Sequence, residues 1–306
     1  AKTDAFNERA VNITQDKDNP ILKVESKTGA SNGQYNITVK KLATTSKFEG
    51  TFDSSTDSLA TEDGILTFKA GDKTFSVDGK AGDSLQSVRK KINNDGDNFG
   101  LTANIINTSD GKAKLVLDSG VSGTGKDLQI SGNTAGLTGF ASSLTQTQTA
   151  SNAEIVVDGN TLTSDSNTFD GTIMGLKVTV LRESDKDTDG NAKSNKVDVA
   201  TDKEGIKTMV KSFIDGYNSL VSKTEALGKR NTMVAGQSKD DGGALAGDSV
   251  TRSVTNLMSN TIISPSDNSS TFSTIFQLGV KMDNKGVLSI DDTKFSEAID
   301  KNFDQV

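Results

Sequence analysis

The sequence predicts an α+β multidomain fold, on three observations. Up to residue 201, apolar and polar residues alternate in short runs, the signature of half-buried strands. Turn clusters rich in Gly, Asn, Asp and Ser separate those runs. From Asp202 the apolar period lengthens to that of an amphipathic helix. The order is a β segment, a mixed unit with one helix, a second β segment and a helical part.

Residues 1–20 are mostly polar and end in Asn19-Pro20, which reads as an extended arm because Pro20 biases Asn19 towards extended geometry. Residues 21–24 open a strand. Tyr35, Ile37 and Val39 alternate with Asn36, Thr38 and Lys40 in a second, and Ser31-Asn32-Gly33 suggests that the two form a hairpin. Residues 49–63 look like loop. Leu66 and Phe68, a turn at 70–73, then Phe75 and Val77 form the next hairpin. Asp83 with Gln86 resembles a capping box, opening a helix in which Leu85, Val88 and Ile92 share one face. Asn93-Asn94-Asp95-Gly96 stops it. Strands around Leu101, Ala103 and Ile105 and around Leu115 and Leu117 follow, and the unit ends near Ile130.

Ile155-Val156-Val157 then meets Asp158-Gly159, a hairpin signal. Leu176, Val178 and Val180 alternate, as do Val197 and Val199, around a charged loop at 183–196. A helix over 202–227 carries Ile206, Met209, Val210, Phe213, Ile214, Tyr217, Leu220 and Val221 on one stripe. It would run for about seven turns and needs a partner helix to cover its stripe. That partner is either helix 248–263, with Val250, Val254, Leu257 and Met258, or another subunit. A hairpin at 278–290 turns at Asp283-Asn284-Lys285-Gly286. Asp292 or Thr293 caps a last helix with Phe295, Ala298, Ile299 and Phe303.

Composition excludes much chemistry. The chain has no His and no Cys, which removes thiol nucleophiles, Ser-His-Asp triads, thiolate zinc sites and disulfides. Absent Cys suits a protein that crosses into oxidising surroundings without staples. Lys+Arg is 34 against Asp+Glu 41, a net charge of −7, which speaks against nucleic acid and anionic membrane as partners. No run approaches the about 20 apolar residues of a membrane span. Hydrophobic residues are 32% and aromatics 5%, so several thin cores are expected rather than one thick one. The first residues show no signal peptide and no initiator Met, which reads as an excised piece.

Four segments mimic binding motifs. Asp185-Lys186-Asp187-Thr188-Asp189-Gly190 opens like an EF-hand loop, but Lys196 stands where the bidentate Glu belongs, so a solvated hairpin loop explains it better. Asp283 to Gly286 is a turn between two strands. Arg89-Lys90-Lys91 closes a helix, where cations complement the backbone dipole. Gly120, Gly125 and Lys126 meet the phosphate-loop spacing, yet Asp127 replaces the Ser or Thr and a strand pattern follows. Sugar-cleaving carboxylate pairs would want aromatic platforms, and the chain has 2 Tyr and no Trp. No catalytic, cofactor or metal residue is assigned, and no enzyme is expected.

Several blocks in order resemble the bacterial flagellar filament cap family, hook-associated protein 2. They are Tyr35-Asn36-Ile37-Thr38-Val39-Lys40-Lys41-Leu42-Ala43, then Phe75-Ser76-Val77 with Ala81-Gly82-Asp83-Ser84-Leu85 through Ile92-Asn93, like the IN module of flagellins. Asn152-Ala153-Glu154-Ile155-Val156-Val157-Asp158-Gly159, Ser166-Asn167-Thr168 and Gly175-Leu176-Lys177-Val178-Thr179-Val180-Leu181 follow. Phe213-Ile214-Asp215-Gly216-Tyr217-Asn218 and the stretch from Gly279 to Asp291 complete the match. The family's heptad-bearing terminal helices are not seen, which implies a fragment lacking both.

The resemblance implies a nested layout of two β-rich head domains, one inserted in the other, and a mainly helical leg domain with a β-hairpin. Residues 21–49 and 145–201 would form the discontinuous head, 50–144 the inserted domain, and 202–306 with the 1–20 arm the leg. It implies a homo-oligomeric ring of roughly four to six subunits at the filament tip. The ring would hold exported flagellin until it inserts. Flagellin, other hook-associated proteins and a flagellar export chaperone are the implied partners, with no cofactor. Export would use the flagellar type III route and end outside the cell. The alternative is a surface adhesin whose head domains bind host glycans or mucin. Interface residues are not assigned.

Overall fold

The computed structural model describes residues 9–265, 271–303 and 305–306. Residues 1–8 of the expected arm lie outside the described residues. The chain divides into two compact units, one ending at Thr201 and the other running from Asp202 to Val306.

The first unit contains β1 (Arg9–Thr14), β2 (Leu22–Ser26), β3 (Gly33–Lys41), β4 (Thr45–Phe52), β5 (Gly64–Ala70), β6 (Lys73–Gly79), α1 (Leu85–Asn94), β7 (Thr102–Asn107), β8 (Ala113–Ser122), β9 (Leu128–Gly132), α2 (Ala135–Ser142), β10 (Thr145–Gln148), β11 (Ala153–Val157), β12 (Asn160–Ser164), β13 (Thr168–Ile173), β14 (Leu176–Val180) and β15 (Asn195–Thr201). One five-stranded sheet runs β1-β15-β3-β11-β12, and a three-stranded sheet runs β13-β14-β2. Their apolar faces share one core, with Ile37, Val39, Ile155 and Val197 from the first and Leu22, Phe169 and Val178 from the second. The alternation read along these strands is therefore the alternation between core and solvent.

A second core lies in the middle of this unit. The sheets β10-β4-β8-β7 and β6-β5-β9 enclose it with both helices. Leu66, Phe68, Leu85, Ile92, Leu117 and Leu137 are fully buried there. Phe68 and Phe75 stack at 5.2 Å between centroids, and Phe99 meets Phe75 edge-on.

Several local expectations change. The arm is not free over its second half, because Val11 and Ile13 alternate with Asn12 and Thr14 and β1 pairs along β15 from Arg9↔Thr201 to Thr14↔Lys196. Gln15 secures the following turn, accepting the Ile21 N–H at 2.9 Å and donating to the Leu22 carbonyl at 2.7 Å. β2 and β3 do not form a hairpin. β2 pairs with β14, and β3 lies between β15 and β11, since each strand has one apolar face and they belong to opposite layers. The expected break at 49/50 falls inside β4, and α2 stands where only turns are expected, while β9 follows the strand pattern at Leu128 and Ile130. The cap of α1 is Ser84, whose hydroxyl accepts the Ser87 N–H. Asp83 instead accepts from the Lys80 N–H at 2.6 Å, the Ser87 hydroxyl at 2.7 Å and the Lys91 ammonium. Burial alone would raise its carboxyl, and these donors outweigh that and hold it below the usual range.

The second unit opens with α3 (Lys203–Gly228), capped by Asp202, whose carboxylate accepts the Gly205 N–H at 2.8 Å. A short hairpin, β16 (Met233–Val234) with β17 (Gln237–Ser238), leads to α4 (Ser249–Ile263). A 3-10 turn at Ile275–Leu278 precedes β18 (Val280–Met282), β19 (Leu288–Ile290) and α5 (Asp292–Asn302). Asp291 caps α5, one residue before the expected cap. Ile214, Tyr217 and Val221 of α3 pack on Val280 and Leu288 of the hairpin, while Ile206 packs on Phe295 and Ile299 of α5. Asn218 fixes the hairpin to α3. Its amide donates to the Leu288 carbonyl at 2.8 Å, and its carbonyl accepts the Leu288 N–H at 2.7 Å.

The link from α3 to α4 is held by Asp241. It accepts the Thr232 N–H and hydroxyl, each at 2.8 Å, and pairs with Lys229 at 3.1 Å. Led by the Thr232 N–H, these donors lower its carboxyl to about 2.

Two predictions follow from these placements. Gly120 sits at φ +64°, where a Cβ would collide with the Gly100 backbone. Gly120→Ala should lower the unfolding free energy of the first unit by about 2 kcal/mol or more, read by urea titration. Because Asp241 is depressed, its bracket is intact above its unfolded pKa of about 3.9 and is lost as pH falls towards about 2. In a carbon NMR titration its carboxyl should titrate near 2, and Asp241→Asn should speed protease cleavage within 230–243.

Candidate functional site

In the four motif-like segments the side chains are engaged in turns, caps and ion pairs of the fold. In the 185–190 loop, Asp185 pairs with Arg182 at 2.7 Å, and that hydrogen bond keeps its carboxyl low. Asp187 accepts the N–H of Asn191 at 2.8 Å and of Asp189 at 2.9 Å, and the Asn191 contact chiefly depresses it. A calcium loop would converge its oxygens on one point; these are committed to their own turn. Ser184 anchors the loop's start by accepting the Val39 N–H at 2.9 Å. Lys196 lies on β15, 3.6 Å from Asp198. Among the described residues, no group of three or more His, Cys, Asp or Glu is placed to hold a metal.

Asp283 accepts the N–H of Lys285 at 2.8 Å and of Val287 at 2.9 Å, and Gly286 takes φ +83° to close the turn. Lys91 reaches Asp83 and, at 2.8 Å, the Asp78 carbonyl. The 120–127 segment continues β8 and then crosses towards β11 and β12. Lys126 pairs with Asp165. Asp127 accepts the Ala150 N–H and the Gln146 amide, both at 2.7 Å, and the Thr124 N–H reaches Asn152 at 2.7 Å. No helix follows to aim N–H groups at a phosphate, so this loop is a fastening between the two β layers of its unit.

What the second unit does offer is surface. The apolar stripe read along α3 divides into two lines. Ile206, Ile214, Tyr217 and Val221 are buried, whereas Phe213, Leu220 and Leu227 are 50%, 43% and 42% exposed. The exposed three recur every seven residues, the spacing of a helix seam that meets another helix. α4 repeats the pattern, with Val250 and Leu257 exposed seven apart. The α3–α4 link adds Met233 and Val234, both at least half exposed, on a hairpin turned at Ala235-Gly236. Leu227 and the 233–238 hairpin escaped the sequence reading. The seven-residue recurrence from Phe213 would have found the first. The second has too few residues to show a period.

Among the described residues, no helix is long and apolar enough to cross a membrane. The exposed apolar residues thus lie on polar, amphipathic helices, which suits docking of another protein element.

Comparison with known proteins sets these surfaces in context. Residues 150–306 match the family model for the flagellar hook-associated protein 2 C-terminus, and residues 66–121 match that for the flagellin hook IN motif. Flagellar hook-associated protein 2 of Aeromonas caviae is 66% identical over 99% of this chain and 66% of its own length. The A-type flagellar hook-associated protein 2 of Pseudomonas aeruginosa is 31% identical over 100% of this chain and 66% of its own length. The chain thus spans about two thirds of the length of these curated relatives. The D1-D2-D3 domains of the Escherichia coli flagellar cap protein superpose with a TM-score of 0.77 over 99% of this chain and 83% of that one, a likeness of fold at 23% identity. The structure of FliD (HAP2) from Pseudomonas aeruginosa PAO1 gives a TM-score of 0.56 at 26% identity, over 66% of this chain and 94% of that one. With one family model covering more than half of its residues and a second falling on residues 66–121 around α1, the chain belongs to the flagellar hook-associated protein 2 family.

Proposed function

We propose that this chain is the head and leg portion of a cap at the distal tip of the flagellar filament, where a ring of its copies promotes insertion and polymerisation of exported flagellin. The observation that carries the reading is the second face of α3. A family member presents Phe213, Leu220 and Leu227 outward at heptad spacing, on a helix whose opposite face already holds its own unit together.

In this reading, the strands up to Lys41 and from Ala153 to Thr201 form the head, the layers from β4 to β10 between them the inserted domain, and 202–306 the leg. The exposed apolar residues of the leg are few and set among polar ones, which favours contacts that exchange as subunits are added. A ring of roughly four to six copies closes by cyclic symmetry and leaves no open end. Flagellin is the client, with other hook-associated proteins and an export chaperone as further partners. Export follows the flagellar type III route to the cell exterior. The role is structural, not enzymatic: the carboxylates in the motif-like segments are spent on turn caps and ion pairs. The names of the similar proteins speak for a cap and not for an adhesin.

Deleting the gene in the source bacterium tests this. Monomeric flagellin should accumulate in the medium while filaments are absent from cells; normal filaments would overturn the cap reading. A Phe213→Ser, Leu220→Ser, Leu227→Ser triple variant separates assembly from folding. Because the three side chains are about half exposed, each substitution should cost only about 1 kcal/mol and leave the chain folded. Swimming should nevertheless be lost, read in soft agar beside circular dichroism of the purified chain.

A further inference from the structure

Between α3 and α4 lies a groove of about 500 Å³ whose walls come from three separate elements. Lys229 follows the end of α3, Arg252 stands in the first turn of α4, and Lys285 sits in the turn between β18 and β19. Glu225 is the one carboxylate on its lining. Lys229 is already paired with Asp241. Arg252 and Lys285 make no ion pair among the described residues, although this chain engages many of its other cations in such pairs. Val221 and the hydroxyl-bearing Thr224, Thr251 and Thr255 complete a lining of mixed polar and apolar character.

Arg252 and Lys285 come from separate elements with Glu225 as the only carboxylate against them on the lining, and an incoming carboxylate offsets the positive charge that remains. The groove is locally positive on a chain whose net charge is −7. A second copy of the same chain therefore arrives with the opposite sign, which both steers it and fixes its register. A basic groove on one side of a subunit and acidic surface elsewhere make a heterologous contact, the kind that repeats around a closed ring.

We propose that this groove receives a carboxylate-bearing segment of a neighbouring copy, with Arg252 and Lys285 as the receiving cations. The proposal rests on the ring reading above and deepens it by naming one contact. It differs from the Phe213 line, which is apolar and lies on another side of α3.

The test is zero-length carbodiimide coupling, which joins a lysine amine to a carboxylate in direct contact. It would use the full-length protein mixed from isotope-labelled and unlabelled preparations. Peptides linking Lys285 of one copy to an Asp or Glu of another are expected. Their yield should fall about tenfold when ionic strength rises from about 0.05 to about 1 M, where the screening length is about 3 Å. Arg252→Glu should abolish them. Arg252→Gln, which keeps a polar side chain, should reduce them with circular dichroism unchanged. Links between copies at other positions but none at Lys285 would overturn the groove alone. No links between copies anywhere would overturn the ring reading, and the groove with it. Lys285 links that persist in Arg252→Glu and at high salt would show a contact not driven by these charges, and would also overturn the proposal.

Discussion

The first unit depends on antiparallel return. The chain leaves its five-stranded sheet at the end of β3 and must come back through β11, which pairs Ile155 with Val39 and Val157 with Ile37. Within that excursion it enters the middle layers through β4 and leaves through β10, which pair at Thr145↔Glu49. Each excursion is therefore closed at its own root. The loop-closure cost grows only slowly with the length enclosed, so a long insertion is tolerable once its two ends are pinned. The register is strict, because a slip of one residue would turn Ile37, Val39 and Ile155 out to water. Lys126, Asp127 and Asp165 add a polar fastening at the same crossing.

The second unit is organised by a helix with two occupations. α3 has 26 residues, so it extends about 39 Å. Its buried line meets the β18–β19 hairpin and α5, and Asn218 ties the hairpin to it through both backbone groups of Leu288. Among the described residues, one of its other sides carries half-exposed apolar residues and one faces a groove lined by cations. The proposed cap role would draw on surfaces of this kind. The ionisable groups agree with that, since the depressed carboxylates of Asp83, Asp187 and Asp241 are explained by local donors that hold turns and helix ends.

Much of this was legible in the sequence, and the failures have physical causes. Hairpins with strong turn chemistry could be read: β11–β12 turns at Asp158 and Gly159, both at positive φ. The helices α1, α3, α4 and α5 could be read because each has a periodic apolar face. The partner of β2 could not, because alternation says that a strand has a buried face but not which sheet it joins. β1 was missed because Val11 and Ile13 are only half-buried and sit in a polar stretch. α2 was missed because its eight residues include two glycines and a weak period. The phosphate-loop spacing at Gly120 lies in the strand context that its flanking pattern indicates, at the end of β8 and before β9. What spacing could not reveal is that Gly120 is needed for the close approach of Gly100. The division of the α3 stripe into a buried and an exposed line is also invisible to periodicity, since both lines are apolar.

Electron microscopy of the purified full-length protein, with class averages tested for rotational symmetry, bears most directly on the central claim that this chain works by assembling with its own copies. Closed particles of one cyclic order, with the same order recovered at the tips of filaments, are the predicted result. Particles that stay monomeric at every concentration, or only two-fold dimers with no closed ring at filament tips, would contradict it.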